Sequence, residues 1–168
     1  MNRAHTALVW AVDSMFLVTD RPDDPPAELM PALDESHRRI VGADEGIIVV
    51  QCVESLIQVA VRVEVWPHTP RVTPADREWT GPVSLEFRSR QGVLAVRQHA
   101  MSDAIEQIEL PHGPGAYRVD FWHAGRVEMA GQQADLAHQL GWLDATDWEA
   151  LAARLAGTEG YLLRIWPV

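Results

Sequence analysis

The chain has 168 residues, 47% hydrophobic and 23% charged, a balance that supports one globular domain whose core needs neither disulfide nor metal. All 14 basic residues are arginine, and the formal charge of −10 argues against direct nucleic-acid binding, because phosphate neutralisation needs a basic face. No apolar run approaches the roughly 20 residues of a membrane span, and no signal-peptide pattern opens the sequence, so no membrane and a cytoplasmic location are expected.

Thr6–Val12 and Met15–Thr19 read as short strands. Residues 20–45 differ in kind: eight acidic residues and three arginines leave −5 there, half the net charge. Pro22, Pro25, Pro26 and Pro31 interrupt any long regular element, so this stretch is expected to be an acidic, proline-rich loop. Ile47–Val53 is again strand-like and carries Cys52, the one cysteine, which reads as a small core hydrophobe with no local cation to activate it.

The clearest signal is Ile57–Trp66, where Ile57, Val59, Val61, Val63 and Val65 alternate with Gln58, Arg62 and Glu64. Period-two alternation of β-branched residues marks a half-buried strand. Val83, Leu85 and Phe87 repeat the pattern, as do Tyr117, Val119 and Phe121, with weaker strands at Val93–Arg97 and Ile105–Leu110. Ser89-Arg90-Gln91-Gly92 and the Pro/Gly run from Pro111 to Gly115 read as hairpin turns. Thr146-x-x-Glu149 has capping-box spacing ahead of an apolar stripe at Trp148, Leu151, Ala152 and Leu155. A second helical turn is expected over Ala134–Leu140, so a helical insertion at about 131–157 precedes a last strand around Tyr161, Leu163 and Ile165. The expected fold is mainly β: an antiparallel β-sandwich of about seven to nine strands over residues 1–168, with Val59, Val61, Val63, Tyr117, Val119, Phe121 and Leu163 inside.

No catalytic or nucleotide-binding motif is present, and the seven histidines lack metal-ligand spacing. The chain is therefore not expected to be an enzyme, and no catalytic residue, metal or cofactor is assigned. An acidic surface fits a basic protein partner. Asp20, Asp23, Asp24, Asp34 and Glu35 are the candidate partner contacts, together with Trp79, which stands in a polar stretch as an exposed anchor. The seven tryptophans leave an alternative, a non-enzymatic β-sandwich ligand-binding module that uses exposed indoles.

Two short motifs sit in this strand order: Ala43-Asp44-Glu45-Gly46-Ile47 and Leu110-Pro111-His112-Gly113-Pro114-Gly115-Ala116-Tyr117-Arg118-Val119. With these the chain resembles the ComJ-like family of small acidic β-sandwiches, the competence nuclease-inhibitor type, over most of its length. The resemblance implies a nuclease inhibitor or immunity-type protein whose partner is a basic nuclease. The capped helical insertion departs from the family pattern, and the family supplies no contact residues to carry over.

Overall fold

The computed structural model describes residues 2–20, 29–99, 102–139 and 144–168. Within them lie ten strands: β1 Arg3–Val9, β2 Met15–Asp20, β3 Val41–Asp44, β4 Ile47–Gln51, β5 Val59–Val65, β6 Thr80–Ser89, β7 Val93–His99, β8 Ser102–Glu109, β9 Gly115–Ala124 and β10 Gly160–Pro167. They form two five-stranded sheets, ordered β1-β5-β10-β9-β6 (sheet A) and β3-β4-β2-β7-β8 (sheet B). All pairings are antiparallel except β10 with β5, which is parallel.

Alternation explains the sandwich. Val59, Val61, Val63 and Val65 of β5, Tyr117, Val119 and Phe121 of β9, and Tyr161, Leu163 and Ile165 of β10 are buried. They share one core with Phe16 and Val18 of β2, Ile48 and Val50 of β4, and Leu94 and Val96 of β7. All seven side chains expected inside are buried. Cys52 is also buried, and burial pushes its thiol well above the ordinary range, which leaves it un-ionised.

The two turns expected to close hairpins instead carry the chain from one sheet to the other. β6 pairs with β9 in sheet A while β7 belongs to sheet B, and β8 and β9 are divided in the same way. Local turn chemistry is the same in both cases: Gly92 has φ +75°, which only glycine adopts freely. Strand partners are chosen by the core, and a turn motif alone does not report them.

Pro22, Pro25 and Pro26 lie outside the described residues, but the rest of the acidic stretch differs from a loop. Leu29–Arg39 is a helix, α1, followed directly by β3. Pro31 lies in the first helical turn, where an N–H has no intrahelical acceptor, so its missing donor costs nothing. Leu29, Ala32, Leu33 and Ser36 recur at i, i+3, i+4 and i+7, and the apolar ones pack on Ile47 and Val49, the outward-facing residues of β4. Helix and strand meet closely at Gly42: a Cβ there would overlap the Ala32 carbonyl and lie 2.7 Å from the Ser36 nitrogen.

The helical insertion begins earlier than expected, with α2 at Arg126–Gln139 and α3 at Ala145–Leu155. The cap of α3 is Asp144, whose carboxylate accepts from Asp147 N at 2.9 Å; Thr146 is already inside the helix. Aspartate two residues upstream of the threonine wins because its ionised oxygen is the stronger acceptor. Met129, Leu136, Leu155 and Ile57 make a separate small core with Trp148 and Leu151.

Candidate functional site

The outward face of sheet A is built from the alternate residues of its strands, and its centre is ionic. Glu64 (β5) and Arg164 (β10) are both buried and joined by a 2.7 Å hydrogen bond from Arg164 Nε. The guanidinium lies between two indoles, 5.5 Å from Trp66 and 5.3 Å from Trp122. Trp66 Nε1 donates to Glu64 at 3.0 Å, and Arg62 makes a second ion pair with the same carboxylate. Such a pair persists away from water because each charge has several partners.

The covering element is the connection between β5 and β6, residues 66–79, which has no regular structure. Polar contacts hold this strap down. Val72 O accepts from Arg164, Asp76 accepts from Arg62 at 3.0 Å, and Arg77 donates to Gly157 O at 2.7 Å. At its end Trp79 donates its indole N–H to Asp76 at 2.9 Å, with the Arg77 guanidinium 5.9 Å from the ring. The bond from Trp79 holds the Asp76 carboxyl below the ordinary range.

Trp79 stands between two cavities. One, about 410 Å³, is bounded by Leu8, Ala60, Arg62, Asp76 and Arg77; the other, about 270 Å³, by Pro70, Pro74, Pro82, Trp122 and Arg164. Indole walls beside fixed charges suit recognition by stacking and hydrogen bonding.

Asp20, Asp34 and Glu35 lie on the other side of the sandwich. Asp20 ends β2 and accepts from Ser89 Oγ at 2.7 Å, Gln91 N at 3.0 Å and Arg90 N, so its carboxylate ties the β6–β7 crossing to sheet B. Asp34 is exposed on α1. Glu35 is half-buried, accepting from Arg39 at 2.9 Å and Ala43 N at 3.4 Å. Asp23 and Asp24 lie outside the described residues. Asp20, Asp34 and Glu35 thus belong to sheet B and its helix, and Trp79 to the cover of sheet A; the structure does not bring them into one cluster.

Sequence reading passed over Glu64, Trp66, Trp122 and Arg164. One signal was available: Tyr161-Leu162-Leu163-Arg164-Ile165-Trp166 is apolar at nearly every position and buried throughout. A strand apolar on both faces is covered on both faces. Its lone arginine therefore needed a buried partner.

No family model matches this sequence, and no curated protein does. The fold itself has known counterparts, and it is of the ComJ type. The chain is similar to the crystal structure of ComJ from Bacillus subtilis, described as the inhibitor of the DNA-degrading activity of NucA, with a TM-score of 0.57 and 13% identity, over 99% of this chain and 96% of that one. It is also similar to the structure described as crocagin biosynthetic gene J, with a TM-score of 0.54 and 11% identity, over 99% and 98% of the two chains. At these identities the likeness is one of fold. Among the described residues no helix is long and apolar enough to cross a membrane, and no group of three or more His, Cys, Asp or Glu is placed to hold a metal ion.

Proposed function

We propose that this chain is an acidic protein-binding domain that inhibits a nuclease in the cytoplasm. The observation that carries the reading is the end-to-end fold likeness to ComJ, a protein whose stated role is inhibition of a nuclease. The charge of −10 supports it: carboxylates presented to a basic, phosphate-binding cleft occupy the place of the nucleic-acid backbone and speed encounter. In this reading Asp34 and Glu35 on α1 and the acidic residues Asp20, Asp23 and Asp24 just before it supply the electrostatic contact, and Trp79 an apolar anchor. The chain masks the nuclease and does not itself touch DNA.

The test is capture of partners by the tagged chain from its native cell extract, followed by DNA-degradation assays on the captured nuclease. Degradation should stop when the purified chain is added in excess. A captured nuclease that stays fully active at saturating inhibitor, or no nuclease in the capture, refutes the reading. A second reading is favoured by the two cavities flanking Trp79: a ligand-binding module that uses this indole as a stacking wall. It would appear as ligand-dependent quenching of fluorescence that is lost in Trp79→Phe.

A further inference from the structure

We infer that β1 is a pairing edge at which a second copy of this chain adds its own β1, joining two A sheets into one. The inference rests on strand geometry and is independent of the inhibitor reading.

Edge strands carry unpaired N–H and C=O groups, and proteins usually blunt them with bulges, prolines, charges or covers. Three of the four edges here are blunted. β3 has only four residues and lies against α1 at Gly42. β6 carries Pro82 and a register shift between Thr80 and Val83, and Gly46 N already bonds to its Arg88 O at 3.0 Å. β8 has three register shifts against β7 and carries Asp103, Glu106 and Glu109.

β1 has neither bulge nor proline, and its one formal charge, Arg3 at its start, is paired with Glu109 of β8. It runs in unbroken register with β5 from Arg3↔Val65 to Val9↔Val59, with no proline and no carboxylate. Among the described residues, no backbone group outside this pairing bonds to Arg3–Val9. The strand leads into an exposed apolar series on alternate positions: Leu8 at 47%, Trp10 at 43% and Val12 at 38% exposure. An open, regular edge beside unpartnered apolar side chains is a template for strand addition.

A second copy fits this edge because the edge complements itself. Antiparallel pairing centred on Thr6 sets Leu8 of one copy against Ala4 of the other, and Ala7 against His5. Large meets small on the outer face, and the inward-facing residues stay on the core side. Arg3 then opposes Val9, so no like charges meet along the joined strands, which matters for a chain with a charge of −10. The arrangement is an isologous two-fold contact. Carboxylates beside it are already engaged: Glu64, in register with Ala4, accepts from Arg164 at 2.7 Å, and Glu109 pairs with Arg3 at 2.8 Å.

Analytical ultracentrifugation across the micromolar range tests this. The wild-type chain should sediment at twice its 18.8 kDa mass, and Thr6→Lys and Leu8→Lys should sediment as monomers that circular dichroism shows to be folded. If circular dichroism shows that either lysine variant is unfolded, Trp10→Ser, which lies beyond the strand, should weaken the dimer instead. A wild-type chain that is monomeric at every concentration overturns the proposal and leaves β1 open to a strand from a different protein. A dimer that persists in the folded variants places the contact elsewhere and overturns it equally.

Discussion

The two outer faces of this sandwich are covered by opposite means. On sheet B, α1 lays Leu29, Ala32 and Leu33 on Ile47 and Val49, an apolar contact made close by Gly42. On sheet A, an irregular strap is fastened by guanidinium groups to carboxylates and carbonyls, with Arg164 between two indoles. Apolar packing is non-directional and tolerant of exchange at constant volume. Ionic fastening is directional and fails when one partner is lost. The A side is therefore the face where single substitutions should do most harm, and also the face whose cover can loosen without melting the core.

The largest effect should come from Arg164→Met. It leaves Glu64 buried with only Arg62 to pair it, and should lower stability by about 3 kcal/mol in urea denaturation. Glu64→Gln combined with Arg164→Met should recover much of that loss. If the single variant is no less stable than the double, the charge is not what holds the strap.

Gly42→Ala tests the B side. The added methyl meets backbone of α1 that cannot swing aside, so a loss of about 2 kcal/mol is expected from overpacking. Hydrogen exchange should show α1 opening ahead of β4. Global unfolding without that local step would mean that α1 and sheet B are one cooperative unit.

A smaller effect separates the faces by function. With the captured nuclease in hand, Asp34→Asn with Glu35→Gln should slow association several-fold and flatten its salt dependence, while Trp79→Ala should mainly speed dissociation. Surface plasmon resonance at two salt concentrations reads both. Unchanged association in the charge variant would take α1 out of the contact.

The smallest effect is a pH dependence of the strap. Asp76 has its folded-state pKa held below the unfolded value, so its contribution is present above the ordinary aspartate range and is lost as pH falls through the folded value. Trp79 fluorescence should shift on acidification below pH ~4 while far-ultraviolet dichroism stays constant, and Asp76→Asn should abolish the shift. A shift that survives in the variant assigns it to another group.

These differences also explain what the sequence revealed. β5, β6 and β9 of sheet A announced themselves because one side of each faces a shared apolar core and alternation follows. α1 was hidden by Pro31, which is harmless where it stands, and by acidic residues that suggested solvent. Pairing partners were not legible, since the residues from Ser89 to Gly92 and from Pro111 to Gly115 would serve a hairpin or a crossing between sheets equally well. Of the candidate contacts, Trp79 was expected to be exposed from its polar neighbours, but it is half-buried, with its indole N–H held by Asp76. Asp20 looked like one more surface carboxylate, and only the fold shows Ser89 and Gln91 gathered around it. The Glu64–Arg164 pair joins residues a hundred positions apart, and local pattern carries no information at that range.

The position of β10 has a consequence for how the chain is made. It is the last strand in order, yet it occupies the middle of sheet A, between β5 and β9. As residues leave the ribosome, β1 with β5 and β6 with β9 can each form a pair, but a slot stays open between them until residues 160–167 emerge. Until then the nascent chain exposes two hydrophobic half-sheets, and the sandwich closes only once residues 160–167 have been made.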